Sequence, residues 1–277
     1  MTDERAAEEA EIDRRTVAAT AALLVEWVRC RLGRRGTPET YSPDRQVLLT
    51  RSGRFRWKVG RASQIVDANR AMFVERREVS RDLDAGCGEV TCLLVTPSAA
   101  TAEALWPAGP ADPFRLRTAL ASSALQAALA RLPLGSAREP AEWEEAALHL
   151  IGRATADALA ARPPVPAAAA RLARRAKERL SPAGAIVPLT AVARDLGVSP
   201  AYLTDAFRRA EGISLVRYQM KLRLMKALVE LPHASCVTRL ALDLGFSSHS
   251  HFSTAFRAAI GQTPSQYRRE ARAIERS

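Results

Sequence analysis

The chain has 277 residues, 47% of them hydrophobic and 26% charged, and a formal net charge of +11. This length allows two domains with separate cores, and the composition is that of a globular protein rather than a disordered or fibrous one. It has no apolar run approaching the roughly 18 residues of a membrane span; the nearest, Val17 to Val28, is broken by Glu26.

In chain order, residues 5–35 read as a helix, because Leu23, Leu24, Trp27, Val28 and Leu32 fall on one apolar stripe. Residues 1–40 are therefore expected to form an N-terminal helical extension. Their acidic opening is wrong for a secretory or transit leader, so a cytoplasmic location is expected. The period then changes. Val47 to Leu49, Phe55 to Val59, Gln64 to Val66, Met72 to Val74 and Val90 to Val95 are short strand-like runs separated by Gly, Asn, Asp or Pro. Phe55, Trp57 and Val59 fall on one side of their run and Arg54, Arg56 and Lys58 on the other. So many short strands predict a small antiparallel sandwich or barrel, placed within 41–162. Helical patterns resume over Phe114 to Leu132 and Glu142 to Ala161. The run Arg162-Pro-Pro-Val-Pro166 reads as a semi-rigid linker, with 163–170 as its span. A basic helix follows from Ala167 to Leu180, carrying Arg171, Arg174, Arg175, Lys177 and Arg179.

The charge is unevenly distributed. Residues 171–277 hold 18 Lys and Arg against 8 Asp and Glu, whereas residues 1–170 hold 23 against 22. A positive module joined to a neutral one suits polyanion binding by the C-terminal part. The cysteines Cys30, Cys87, Cys92 and Cys236 form no C-x-x-C pair, and the histidines are His149, His233, His249 and His251. A structural zinc site is not expected, nor any other metal or cofactor. Buried or incidental thiols are the expectation, with Cys87 and Cys92 close enough in sequence to leave a redox-responsive pair open.

The C-terminal part contains one motif twice. Ala193-Arg-Asp-Leu-Gly-Val-Ser199, Tyr202 to Arg208, Gly212, Ser214 and Tyr218 return as Ala241-Leu-Asp-Leu-Gly-Phe-Ser247, His251 to Arg257, Gly261, Thr263 and Tyr267. Each copy reads as a helix, a tight turn at glycine and a capped second helix, the pattern of a helix-turn-helix. Ser199 is the expected cap of the first copy and Ser247 or Ser248 that of the second. Tyr202, Leu203, Ala206 and Phe207 are expected on the buried side, with Ala201, Thr204, Asp205 and Arg208 outward. In the second copy Phe252, Ala255 and Phe256 face the core and His251 packs. His249, Ser250, Ser253 and Thr254 then project toward a major groove, with Arg257 near a phosphate. Leu215 to Leu231, with Val216, Met220, Leu224, Ala227 and Leu228 at helix spacing, is expected to join the copies as a rigid connector.

These residues resemble the AraC/XylS family of bacterial transcription regulators over about residues 170–270. The resemblance rests on Ser199-x-x-Tyr-Leu-x-x-x-Phe-Arg, Gly212, Tyr218 and the stretch Gly245 to Arg268. It implies a regulator rather than an enzyme, with no catalytic residues and with double-stranded DNA as partner. A domain over 171–272 would place two recognition helices in successive major grooves. It also implies base reading by Ala201, Thr204, Asp205, His249, Ser250, Ser253 and Thr254. Ser199, Arg208, Ser248 and Arg257 are expected against phosphates. The sequence departs from the family at Asp205, where a basic residue is usual. Asp can accept a hydrogen bond from cytosine but is repelled by phosphates; the alternative is a surface ion pair with Arg208 or Arg209.

The neutral half resembles the cupin-type barrel that many family members place before the DNA-binding domain. The expected fold class is therefore α+β: a small antiparallel cupin-like barrel with flanking helices, then an all-α domain of two helix-turn-helix units joined by a linker helix. The resemblance implies a small-molecule effector in the barrel, and a homodimer through the following helices. RNA polymerase is a further candidate partner. Phe55, Trp57, Met72 and Phe73 are candidate pocket residues, with plain core as the alternative. Residues 1–148 contain no histidine, which argues against a metal-dependent cupin enzyme. Two other readings are an effector-independent barrel serving protein contacts, and an alkyl-transfer DNA repair protein. The second needs clustered cysteines that this chain lacks.

Overall fold

The apolar residues near the N-terminus pair as strands. The computed structural model describes residues 10–33, 35–85, 88–109, 112–134, 138–160, 165–180 and 187–274. In it β1 (Glu11–Ala19) and β2 (Leu23–Arg31) form an antiparallel hairpin, which corrects the helical extension expected over 1–40. Leu23, Val25 and Trp27 are buried, and Leu24, Glu26 and Val28 between them are half-buried. A strand covered on both faces keeps apolar residues at positions that also fit a helical stripe, so periodicity does not separate the two over so short a run. The β-branched Thr16, Val17, Val25 and Val28 favour the strand. Thr20 closes the turn, its Oγ1 accepting from the N–H groups of Ala22 and Leu23, both at 3.2 Å.

The later strands follow the sequence pattern. They are β3 (Thr40–Tyr41), β4 (Gln46–Ser52), β5 (Arg54–Val59), β6 (Ala62–Asp67), β7 (Arg70–Val74), β8 (Val79–Asp84), β9 (Glu89–Pro97) and β10 (Thr118–Leu120). They build two antiparallel sheets, in the orders β1-β2-β9-β4-β7-β10 and β3-β8-β5-β6. Phe55, Trp57 and Val66 of the smaller sheet form one buried cluster with Met72, Val74, Val90 and Cys92 of the larger. The larger sheet turns its other face, including Val25, Trp27, Val47, Leu49, Phe73, Leu93 and Val95, toward a helix. That helix is α3 (Pro140–Leu159), whose Trp143, Ala147, Leu150, Ile151 and Ala154 recur at helical spacing on the buried side.

Two shorter helices precede it, α1 (Ala99–Leu105) and α2 (Ser123–Ala130). The helix expected over 114–132 is thus divided into a 3₁₀ turn (Pro113–Leu116), the edge strand β10 and α2. Arg117 takes a positive φ of 61° and ends the turn. Thr118 to Leu120 then pair with β7, and the Ser122 Oγ accepts from the Leu125 N–H to restart the helix.

The chain divides into two units, Met1–Ala160 and Ala161–Arg276. Among the described residues the elements of the second are all helices: α4 (Ala167–Arg179), α5 (Leu189–Leu196), α6 (Pro200–Glu211), α7 (Leu215–Glu230), α8 (Val237–Asp243), α9 (His249–Ile260) and α10 (Pro264–Ile274). The linker expected at 163–170 is shortened, because Ala167 onward is already helix behind Pro166. Residues 163 and 164 of that linker lie outside the described residues, as does Cys87. No described helix is long and apolar enough to cross a membrane.

Candidate nucleic-acid interface

Both copies of the repeat fold by the same local rules. In the first, α5 ends at Gly197 with φ 68°, and the Val198 N–H donates back to the Ala193 carbonyl at 3.0 Å. In the second, Gly245 has φ 76° and the Phe246 N–H donates to Ala241 at 2.9 Å. This left-handed glycine turn is cheap without a Cβ and closes the last carbonyls of the scaffold helix. Each recognition helix then opens on a serine cap. The Ser199 Oγ accepts from the Tyr202 N–H at 3.2 Å, and the Ser248 Oγ accepts from the His251 N–H at 3.1 Å. The second cap is therefore Ser248 rather than Ser247, which takes up the extra residue of that copy. Ser247 instead lies with its hydroxyl 3.1 Å from His251 Nδ1.

The buried side repeats as well. Phe207 meets Tyr218 edge-on at 5.5 Å, and Phe256 meets Tyr267 edge-on at 5.8 Å. Each pair anchors its recognition helix to the helix that follows. Such contacts contribute about 0.5–1.5 kcal/mol beyond burial.

With the cores fixed, the outward rows are set. Ala201, Asp205 and Arg208 are exposed and Thr204 is half-buried, all on one side of α6. His249, Ser250, Thr254 and Arg257 are exposed and Ser253 is half-buried along α9. Asp205 pairs with Arg209, one turn on, which is one of the two partners expected for the surface ion pair. The Thr204 hydroxyl donates to the Pro200 carbonyl at 2.8 Å, leaving its lone pairs outward. The side chains of Arg208 and Arg257 make no hydrogen bond or ion pair among the described residues, and both stand near the ends of their helices.

Three placements differ from the sequence reading. Tyr202 is 50% exposed rather than buried, because it sits one position off the Leu203–Phe207 stripe. Val216 is 58% exposed, since it flanks rather than joins the buried row of α7. His251 is exposed, although its ring meets Phe246 edge-on at 5.5 Å.

The sequence reading also missed the polar residues that lock α7 to both copies. Gln219 exchanges two hydrogen bonds of 3.0 Å with the Val187 backbone ahead of α5. Four residues on, Arg223 donates to the Gly245 carbonyl at 3.1 Å and lies 4.8 Å from the Phe246 ring centre. Its burial lowers the guanidinium pKa. Gln219 and Arg223 at i, i+4 among apolar residues were the available signal. On the far side, Arg272 donates to the carbonyls of Pro232 and Ala234 at 2.5 and 3.0 Å, fixing α10 to the end of α7.

In the first unit, the candidate pocket residues do not form one group. Phe55, Trp57 and Met72 share the cluster between the sheets, while Phe73 faces the helix-covered side. Met72 and Phe73 are neighbours on β7, and adjacent strand residues point to opposite faces. Asp82 is the cross-strand partner of Trp57. Burial raises the Asp82 carboxyl to about 6, against a smaller lowering by Arg14. Burial, then Asp82, pushes the Cys30 thiol up to about 11. Trp57 Nε1 and Asp82 Oδ1 are buried and without a hydrogen-bond partner among the described residues. Arg117 lies 5.8 Å from the Trp57 ring centre and pairs with Glu78.

Comparison with known proteins agrees with this geometry. A family profile described as helix-turn-helix domain matches residues 192–270. The regulatory protein SoxS of Salmonella typhimurium is 38% identical over 78 residues, 28% of this chain and 73% of SoxS. The HTH-type transcriptional regulator GlxA of Rhizobium meliloti is 37% identical over 83 residues, 30% of this chain and 26% of GlxA. A solved AraC-type regulator from Chromobacterium violaceum is 26% identical, with a TM-score of 0.35, over 38% of this chain and 96% of that one. The chain spans about a quarter to a third of the length of several larger curated relatives. With two scaffold-matched helix-turn-helix copies and 38% identity across most of SoxS, the chain belongs to the AraC/XylS family of regulators.

Proposed function

We propose that the chain is a sequence-specific regulator of transcription that binds double-stranded DNA through α6 and α9. The observation that carries this reading is the pairing of matched cores with unmatched outward rows. Ala201, Thr204 and Asp205 offer a groove one set of contacts, and His249, Ser250, Ser253 and Thr254 another. In this reading Ser199 and Ser248, with Arg208 and Arg257, take phosphates. RNA polymerase, a second copy of the chain and a cytoplasmic setting belong to the same reading.

The first unit is read as the regulatory one. A buried donor, Trp57 Nε1, and a buried acceptor, Asp82 Oδ1, stand on paired strand positions without partners among the described residues. Such atoms are costly unless something hydrogen-bonds them, which supports a small polar effector between the sheets.

Selection from a random duplex pool tests the DNA reading. The selected duplex is expected to bind at least about 10³-fold tighter than a scrambled one at the same salt; a ratio near one removes sequence specificity. Thermal unfolding with a metabolite panel, followed by tryptophan fluorescence, tests the effector reading. All four tryptophans lie in the first unit. A ligand at 100 times its Kd stabilises that unit by about 2.7 kcal/mol, and a panel without a hit favours the protein-contact role.

A further inference from the structure

The helix α4 lies ahead of the matched helix-turn-helix region, and its charges divide into two classes. Lys177 is buried, its Nζ 3.2 Å from Glu211 Oε1 on α6 and 5.5 Å from the Tyr218 ring centre. Arg174 pairs with Glu178 at 3.3 Å. The remaining cations, Arg171, Arg175 and Arg179, are exposed, and their side chains make no hydrogen bond or ion pair among the described residues.

These three stand at i, i+4 and i+8, so they form one row along about 12 Å of helix. Like charges four residues apart repel on a helix. Arg179 has an ordinary explanation, because a cation in the last turn is favoured by the helix dipole. Arg171 lies well before the last turn and gains nothing of that kind. The row is also held firmly, since its opposite face (Ala169, Leu172, Ala173, Ala176, Lys177) is buried. The Lys177–Glu211 pair ties it to the last turn of α6, the first reading helix.

We infer that Arg171, Arg175 and Arg179 form a third DNA contact, a phosphate-binding row that takes the backbone beside the segment read by α6. It rests on the DNA-binding reading above. A duplex strand offers one phosphate every ~3.4 Å of axis, so a row of this length meets several. Arginine suits the task, since its guanidinium stays charged and forms paired hydrogen bonds to phosphate. The row adds affinity and salt dependence without adding base preference.

The test uses the full chain, a triple variant Arg171→Gln, Arg175→Gln, Arg179→Gln, and the matching triple lysine variant. Affinity is measured against salt on a selected site within a duplex of about 40 base pairs, and on the same site trimmed to its bases. On the long duplex the glutamine variant is expected to lower the slope of log K against log salt by about 2.7, at ~0.9 per phosphate contact. The lysine variant is expected to restore most of that slope. Parent and glutamine variant should bind the trimmed duplex alike and select the same motif. A parent-like slope for the glutamine variant on the long duplex overturns the proposal and leaves the row to solvent or an acidic protein. An equal loss on both duplexes without a change of slope also overturns it, since that marks a structural role. A parent chain that binds no DNA removes the regulator reading itself, and the row with it.

Discussion

The Lys177–Glu211 pair allows the packing of the second unit to be tested by a single side chain. Both residues are 4% exposed, and the charges stand 3.2 Å apart. Lys177→Met keeps the volume but takes the ammonium away from the buried Glu211 carboxylate. Removing one partner of a buried ion pair costs about 3–5 kcal/mol, whereas replacing both by apolar groups is often neutral. Lys177→Met with Glu211→Leu should therefore recover most of what the single change loses. For a unit of this size each kcal/mol moves Tm by about 4 °C, so the single variant should melt about 12 °C lower or more. The assay follows two signals in the full chain. Ellipticity at 222 nm reports mainly the helical second unit, and tryptophan fluorescence reports only the first, through Trp27, Trp57, Trp106 and Trp143. The ellipticity transition should fall in the single variant and return in the double, with the fluorescence transition unmoved. A single-variant shift below about 2 °C, or a double variant no better than the single, refutes the reasoning.

Arg257→Ala should weaken binding to every duplex and lower the salt slope by about 0.9; a salt titration with an unchanged slope removes Arg257 from the phosphate role. Asp82 titrates near 6 when folded against an ordinary 3.8, so the folded state binds the proton more tightly. The stability of the first unit should then fall as pH rises through this window, by at most about 3 kcal/mol. Asp82→Asn should flatten that fall, and a fluorescence-detected melt at pH 4 and pH 7 checks it. A Cβ at Gly197 meets nothing within 4 Å, whereas one at Gly53 would stand 2.3 Å from the Glu89 carbonyl oxygen. Gly197→Ala should thus cost about 1 kcal/mol, from its positive φ alone. Gly53→Ala should cost distinctly more, read by urea unfolding of each unit.

The second unit was legible because its signals are local and repeated. Gly197 and Gly245, Ser199 and Ser248, Phe207 and Phe256 declare turns, caps and core within a few residues of each other. The first unit was less so. Leu23, Leu24, Trp27, Val28 and Leu32 satisfy a helical stripe and a doubly covered strand equally well. The pairing of β2 with β1 and with the distant β9 decides between them. The same holds for Thr118 to Leu120, which become strand because β7 offers an edge. The contacts of Lys177 with Glu211, Gln219 with Val187 and Arg223 with Gly245 are tertiary, and a single sequence does not announce such partners.

On the proposed reading, one framework presents two different reading surfaces. The most direct measurement repeats the duplex selection with Thr204→Ala and with His249→Ala. Each variant should relax a different segment of the motif. The two segments should lie one helical turn apart, about 10–10.5 base pairs centre to centre, with each lost contact costing roughly 1–3 kcal/mol of base preference. Two variants that relax the same segment, or that return the parent motif unchanged, would contradict it.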